Sequence, residues 1–306
     1  MTSAAAAGRP AVAWPGARTE LVGVVGDPVR HSLSPLLHNA AFAALGLDWA
    51  YVAFPVARSE LAVALAGARA LGLRGLSVTM PHKEAIARAA DQRSRAVERL
   101  GAANTVVLRS GIAVAETTDG VGLLDDLREG AGFDASGLRC AVVGAGGAAR
   151  AVVLALAEAG ARSVVVVNRT ADRAAQAAAL AGSAGRVGTP GELADVALVV
   201  QATPAGMPGA ASGAARPGEP ARPGLAVAAL ARRLGAGQLV VDLVYHPPMT
   251  PFLAEAASRG ATVRNGLGML VHQAAHQCSL WTGESAPLEA MWAAVGGRTA
   301  GRPVEP

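Results

Sequence analysis

Lysine is almost absent from this chain. Its 306 residues include 27 Lys and Arg side chains, and Lys83 is the only lysine among them. Positive charge is otherwise carried by guanidinium, which with the load of alanine and glycine reads as coding bias. Aromatics are scarce too, at 3% against 52% hydrophobic residues, so the core must be built from Ala, Val and Leu. Cys140 and Cys278 lie far apart in no motif. That argues against a disulfide scaffold and suits free thiols in a reducing cytosol. No apolar run approaches the roughly 20 residues that a bilayer span needs. The opening "MTSAAAAGRPAVAWPGART" lacks the basic start and dense apolar middle of a secretory signal and reads as a disordered tail. Net charge is +4, but the arginines alternate with acids on helical stretches, with no basic run and no interleaved aromatics. A nucleic-acid or membrane partner is therefore not expected, whereas a small phosphorylated or acidic ligand is compatible. A cytoplasmic protein is expected.

Strand and helix signals alternate along the chain. "ELVGVVGDP" reads as a strand, and "SPLLHNAAFAALG" as a helix with Ser34 as N-cap, Pro35 at the first position and Gly46 near the end. "WAYVAFPV", "SELAVALAGARALG" and "LRGLSVT" follow as strand, helix and strand, and "PHKEAIARAA" opens a helix with Pro81 at its first position. "TVVLRS" and "IAVAET" are short strands flanking Gly111, and "DGVGLLDDLREG" reads as a helix over 119–130. Then the pattern starts afresh with "LRCAVVGAGGAARAVVLALAEAG", which places a domain boundary near Thr118. The stretch over 205–224 is rich in Pro, Gly and Ala and reads as loop. The alternation predicts an α/β fold with mostly parallel sheets covered by helices. At 306 residues the chain suits two domains.

"CAVVGAGGAAR" carries Gly144, Gly146 and Ala149 in a G-x-G-x-x-A spacing, between an apolar run and an amphipathic helix. That context makes it a dinucleotide fingerprint: the glycines permit a tight turn and close approach of a pyrophosphate, and the helix N-terminus supplies N–H donors. The next strand, "SVVVVNRTADR", ends without the Asp or Glu that would bind a ribose 2′-hydroxyl. Asn168, Arg169, Thr170 and Arg173 stand there instead. Guanidinium forks match a 2′-phosphate, so the predicted cofactor is NADP(H).

Lys83 falls in the first turn of its helix, where the dipole disfavours a cation. Arginine stays charged at any working pH, whereas an amine can give up and recover a proton. A chain that otherwise uses arginine has a chemical reason to keep one lysine.

Eight blocks occur in an order that resembles the shikimate dehydrogenases: "GDPVRHSLSPLLHNAAF", "SVTMPHKEA", "GAANTVV", "TDGVGLLDDL", "VVGAGGAAR", "NRTADRA", "DLVYHPPMTPFLAEAASRGA" and "NGLGMLVHQAAHQCSLWTG". The resemblance spans roughly residues 21 to 283. It implies reversible NADPH-dependent reduction of 3-dehydroshikimate to shikimate in the chorismate route to aromatic amino acids. It also implies an N-terminal α/β substrate domain over 21–118 and a Rossmann-type NADP domain over 119–265, with a cleft between them. C-terminal helices over 266–298 are then expected to pack back on the substrate domain, and 1–20 and 299–306 to be tails. By the same resemblance Lys83 and Asp119 form the catalytic couple, although Asp119, at a helix start, could also act as an N-cap. Ser32, Ser34 and Tyr245 would hold the substrate carboxylate, plain capping being the alternative for Ser34. Thr79, Asn104 and Gln273 would hold the hydroxyls, against the alternatives of a turn residue for Asn104 and a helix surface residue for Gln273. Gly144, Ala145, Gly146, Gly147 and Ala148 would cradle the cofactor diphosphate. Leu243, Gly266 and Met269 would line its nicotinamide end, Met269 being equally suited to fill the core.

Four positions depart from the family pattern: Ser77 and Thr117, where Asn is common, Gln201, which replaces an Asn, and Arg95 near the lysine. They leave quinate or an amino analogue open as alternative substrates. His272 and His276 have the i, i+4 spacing of a metal pair but no carboxylate between them, so packing or surface roles are expected and no metal. Monomer and homodimer both remain open.

Overall fold

The computed structural model describes residues 15–207 and 227–296. Most of the expected N-terminal tail, most of the 205–224 loop and the end of the chain from 297 lie outside the described residues. The chain forms two six-stranded sheets.

The first sheet comprises β1 (Glu20–Gly26), β2 (Trp49–Pro55), β3 (Gly75–Val78), β4 (Gln92–Arg93), β5 (Thr105–Arg109) and β6 (Ile112–Glu116), in the order β2-β1-β3-β5-β6-β4. Its helices are α1 (Ser34–Ala44), α2 (Leu61–Ala70), α3 (Lys83–Ala89) and α4 (Arg95–Leu100). β1 is parallel to β2 and β3, but β5 is antiparallel to both β3 and β6. β4 is parallel to β6, so the sheet is mostly parallel, as expected, with β5 as the antiparallel exception. The cause is local: Ser110 (φ 49°) and Gly111 (φ 77°) both take positive φ, the geometry of a two-residue hairpin turn, and such a link can join only antiparallel strands.

The chain then passes through α5 (Asp119–Asp125) into β7 (Arg139–Val143), α6 (Gly147–Glu158), β8 (Ser163–Val167), α7 (Ala171–Ala179), β9 (Gly185–Val187) and β10 (Leu198–Gln201). After α8 (Val227–Leu230) come β11 (Leu239–Asp242), α9 (Pro251–Ser258) and β12 (Thr262–Asn265). This sheet is wholly parallel, in the order β12-β11-β10-β7-β8-β9. Its valine-rich strands are buried on both faces, as parallel sheets require. Cys140, Val142, Val164 and Val166 face α6, while Ala141, Val143, Val165 and Val167 face α9. The strand order reverses between β7 and β10, so a ligand crevice opens at their carboxyl ends.

Finally α10 (Leu267–Thr282) and α11 (Leu288–Ala294) return to the first sheet. Val271, Cys278, Trp281, Met291 and Trp292 pack with Val22, Leu37, Phe42 and Tyr51, and Trp281 Nε1 donates to Val106 O at 3.0 Å. α5 and α10 therefore carry the chain between the sheets. They touch at Gly122, where a Cβ would stand 2.6 Å from the Gln273 main-chain nitrogen.

Three expected helix boundaries shift. α1 begins at Ser34 rather than after it, and no side chain caps it. α3 begins at Lys83 because Pro81 belongs to a separate turn, closed by His82 N–H on Thr79 O at 2.9 Å. The helix expected over 119–130 changes pitch after Asp125 into a π-helical turn, Asp126–Gly130. That wider turn brings Asp126 inward onto Arg264, whose Nη2 donates to Oδ1 at 2.6 Å and whose Nη1 donates to Gly130 O at 2.8 Å. Burial pushes the Asp126 carboxyl up, and Arg264 opposes it. Among the described residues no helix is long and apolar enough to cross a membrane.

Candidate active site

Lys83 is held by its turn and by Ala103, whose N–H donates to Lys83 O at 2.9 Å. The turn in turn is anchored by buried His82, whose Nε2 lies 2.7 Å from Val56 O. Lys83 Nζ donates to Asp119 Oδ2 at 2.5 Å, with the side chains 18% and 8% exposed. Asp119 Oδ1 accepts from Asn104 Nδ2 at 2.8 Å. Asp119 is the first residue of α5 but caps nothing, because both its oxygens are drawn to donors on other elements, one of them charged.

Asn104 and Gln273 are buried, so neither the turn-residue nor the helix-surface alternative holds. Asn104 Nδ2 also reaches Thr118 Oγ1 (2.9 Å) and Gln273 Oε1 (3.2 Å), and its Oδ1 accepts from Thr118 N–H and Thr105 Oγ1, both at 2.8 Å. Thr118 was not singled out by sequence; its position directly before Asp119 was the available signal.

Ser32 Oγ accepts the Ser34 N–H at 3.2 Å and donates to Ser34 Oγ at 3.1 Å. The turn is therefore made by Ser32, and the buried Ser34 hydroxyl serves no helix cap. Tyr245 packs in the same cluster as Leu33; burial pushes its hydroxyl up, and the Leu33 main chain opposes this. Thr79, half-buried at the end of β3, precedes the lysine turn. Of the departures, Ser77 is buried between Tyr51 and Gln277, Thr117 is half-buried, and Arg95 is exposed at the start of α4, without an ion pair to the lysine's partner.

On the second sheet, Gly144 follows β7 with φ 118°, a conformation that favours glycine, and a Cβ there would sit 3.2 Å from Ala202. α6 starts at Gly147 behind Gly146, and among the described residues no side chain caps its first N–H groups. Above Gly146 a Cβ would meet nothing within 4 Å among the described residues. An uncapped helix start with open space over it fits a diphosphate, flanked by half-buried Ala145 and Ala148. Asn168 Nδ2 closes the turn after β8 on Thr170 O at 3.0 Å. Arg169, Thr170 and Arg173 are exposed there, and among the described residues neither arginine has an ion-pair partner. Two exposed guanidiniums with no carboxylate at the strand end fit a 2′-phosphate. Gly266 lies against the Leu243 main chain, and Met269 is buried in the core cluster that Leu243 borders. The glycine loop also touches the lysine: a Cβ on Gly147 would stand 3.3 Å from Lys83 Cδ. The two sheets' helices are clasped beside it by Arg150 Nη2 on Glu84 Oε1 (2.7 Å) and Arg99 Nη1 on Glu158 Oε1 (2.5 Å).

Gln201 and Asp242 organise the crevice from behind. Gln201 Nε2 donates to Thr203 O (3.1 Å), Ala205 O (3.2 Å) and Asp242 Oδ1 (3.0 Å). Asp242 also accepts from Val244 N–H (3.0 Å) and Thr250 Oγ1 (2.7 Å), fixing the loop that carries Leu243 and Tyr245. Burial pushes the Asp242 carboxyl up to about 6 against these hydrogen bonds. Its place at the head of "DLVY" was the sequence signal for it. His272 packs edge-on to Trp292, and His276 Nε2 lies 2.6 Å from Asp125 Oδ2. Among the described residues no three His, Cys, Asp or Glu side chains are grouped to hold a metal.

Three family models match successive parts of the chain: the shikimate dehydrogenase substrate binding domain over 24–106, shikimate / quinate 5-dehydrogenase over 128–202, and the shikimate 5′-dehydrogenase C-terminal domain over 266–295. The shikimate dehydrogenase (NADP+) of Methanopyrus kandleri is 45% identical over 280 residues, covering 91% of this chain and 96% of its own. That of Moorella thermoacetica is 45% identical over 304 residues, covering 94% and 98%. The shikimate 5-dehydrogenase of Thermus thermophilus, solved in complex with NADP(H) and shikimate, superposes with a TM-score of 0.79 at 35% identity, covering 92% of this chain and 100% of that one.

Proposed function

The chain belongs to the shikimate dehydrogenase family, and we propose that it catalyses the reversible NADPH-dependent reduction of 3-dehydroshikimate to shikimate. The reaction belongs to the chorismate route to aromatic amino acids. The observation that carries this reading is the Lys83–Asp119 pair, at 2.5 Å, directly beside the uncapped glycine loop of α6.

NADPH, when bound, supplies a hydride to the ketone carbon. The chain's own residues deal with the charge that then grows on the ketone oxygen. The Lys83 ammonium stabilises that oxygen and donates a proton to it, leaving a neutral amine that regains a proton from solvent; the reverse direction runs the same transfer backwards. Asp119 Oδ2 orients the amine, and Asn104 holds the other carboxylate oxygen. Ser32, Ser34 and Tyr245 hold the substrate carboxylate. Thr79, Asn104 and Gln273 hold its hydroxyls. Gly144 to Ala148 cradle the diphosphate, Asn168, Arg169, Thr170 and Arg173 the adenosine 2′-phosphate, and Leu243, Gly266 and Met269 the nicotinamide end.

We divide the chain into a substrate-binding part over 21–118, an NADP-binding part over 119–265 and the C-terminal helices over 266–298. The packing of α10 and α11 on the first sheet supports that division. Two buried free thiols, Cys140 and Cys278, support a reducing, cytoplasmic setting; both a monomer and a homodimer are compatible with the reading. A second reading, oxidation of quinate, is favoured by the match to shikimate / quinate 5-dehydrogenase.

Initial rates with shikimate and quinate, each with NADP+ and NAD+, decide between them. Turnover of shikimate with NADP+ is expected to dominate, and absence of shikimate turnover refutes the proposal. Lys83→Ala is expected to lower kcat by about 10²–10⁴-fold with a smaller change in KM. Near-wild-type turnover in that variant would remove the lysine from the chemistry.

A further inference from the structure

Behind the pocket wall, a run of buried side chains leads to the lysine–aspartate pair. Tyr51 Oη donates to Ser77 Oγ (2.7 Å), and Ser77 Oγ donates to Gln277 Oε1 (2.7 Å). Gln277 Nε2 donates to Thr105 Oγ1 (2.9 Å) and to Asn104 O (3.1 Å). Thr105 Oγ1 donates to Asn104 Oδ1 (2.8 Å), and Asn104 Nδ2 donates to Asp119 Oδ1 (2.8 Å). Every member is buried, Gln277 to 1% exposure. The Tyr51 ring that starts the run is stacked on His38, with ring centroids 4.4 Å apart.

The run has one polarity. The Ser77 and Thr105 hydroxyls each accept from one side and donate to the other, and the Gln277 carboxamide passes the direction on because its oxygen and nitrogen are not interchangeable. At its end stands a carboxylate that only accepts. The Asn104 amide must present Nδ2 to Asp119; turned over, it would set Oδ1 against the carboxylate. An apolar side chain at 277 would strip Ser77 Oγ of its acceptor and both Thr105 Oγ1 and Asn104 O of a donor, loosening the Thr105 hydroxyl and the main chain that set the Asn104 amide. Low local dielectric makes such buried networks act as units.

We propose that Gln277 is a positioning residue: through Thr105 and Asn104 it fixes the Asp119 carboxylate that orients Lys83. The inference rests on the reading of Lys83 and Asp119 as the proton-transfer pair. Gln277 is 1% exposed and its polar atoms are engaged by Ser77, Asn104 and Thr105, so its signature is a fall in kcat with little change in KM.

The test is a double-mutant cycle of Gln277→Met and Thr105→Val, assayed with shikimate and NADP+ and accompanied by thermal midpoints. Each single variant is expected to lose about tenfold in kcat, the scale of one hydrogen bond, with KM for shikimate changed by less than about threefold. The double variant is expected to be no slower than the worse single, because both break one chain. Thr105→Val alone carries the test should Gln277→Met fail to fold. Additive losses in the double variant, or wild-type kcat in either single variant, overturn the inference while leaving the reaction intact. Wild-type protein that does not turn over shikimate overturns the functional reading, and this inference with it.

Discussion

Gly147 opens α6 with its Cα turned toward Lys83. An added Cβ would lie 3.3 Å from Lys83 Cδ and 3.4 Å from Lys83 Cβ. Carbon atoms rest at about 3.5–4.0 Å, so Gly147→Ala must push the lysine stem back by about 0.3–0.5 Å. The far end of that stem is tied to Asp119 at 2.5 Å, so the displacement is passed to the amine or breaks its hydrogen bond. A misplacement of about 1 Å costs on the order of 10²-fold in rate; scaled logarithmically, kcat should fall about four- to tenfold. Stability should move the other way. The position is helical with φ outside the left-handed region, and alanine there gains up to about 1 kcal/mol over glycine. Gly146 provides the contrast, since its Cβ would meet nothing within 4 Å among the described residues. Gly146→Ala should leave the thermal midpoint alone and fill the space over the helix start, raising KM for NADPH with kcat preserved at saturation. Steady-state kinetics and a thermal melt on both variants suffice. A Gly147→Ala protein with a raised melting point and wild-type kcat would show that the loop does not bear on the lysine.

Arg169→Ala should weaken NADP+ by about tenfold or more and leave NAD+ nearly unchanged; equal losses would show that this guanidinium does not read the phosphate. Asp242 has a folded-state pKa of about 6, raised above its ordinary 3.8 by burial. The folded chain then holds that proton more tightly than the unfolded one, so this group's contribution to stability is greatest in acid and is lost as pH rises from about 4 to about 6. The loss is about 3 kcal/mol. Asp242→Asn should abolish that slope, and a wild-type-minus-variant unfolding free energy that is constant across the window refutes it. Arg264→Met leaves the 1%-exposed Asp126 side chain buried without its partner, and urea unfolding should show a loss of about 3–5 kcal/mol. A loss below about 1 kcal/mol would mean that the pair does not anchor the π-helical turn after α5 to β12.

Much of the architecture was legible because its signals are local. Valine runs such as "SVVVV" mark strands buried on two faces, and the glycine spacing after β7 marks a tight turn into a helix. The hairpin at Ser110–Gly111 was visible as two strands around a glycine, but its antiparallel pairing, and so the mixed first sheet, was not drawn from it. The start of α1 lies one residue earlier than the capping pattern implies, with Pro35 still in its first turn, whereas the start of α3 lies later because Pro81 sits in a turn, which a proline suits as well as a first helical turn. The π-helical turn after Asp125 had no local signal; it follows from a buried partner at Arg264, more than a hundred residues away in the chain.

The same division runs through the site. Sequence alone singled out Lys83, since an otherwise arginine-based chain kept one amine, and it pointed to a phosphate-reading strand end in Asn168–Arg173, since those properties reside in residue types and short spacings. Only the tertiary structure decided which groups face each other. It set Asp119 against Lys83 rather than on its own helix end, buried Asn104 and Gln273 together, tied Gln201 to Asp242, and ran Tyr51, Ser77 and Gln277 behind them. Hydrogen bonds of this kind join residues far apart in the chain, and their partners are chosen by the packing of whole sheets and helices, which no short window of sequence encodes.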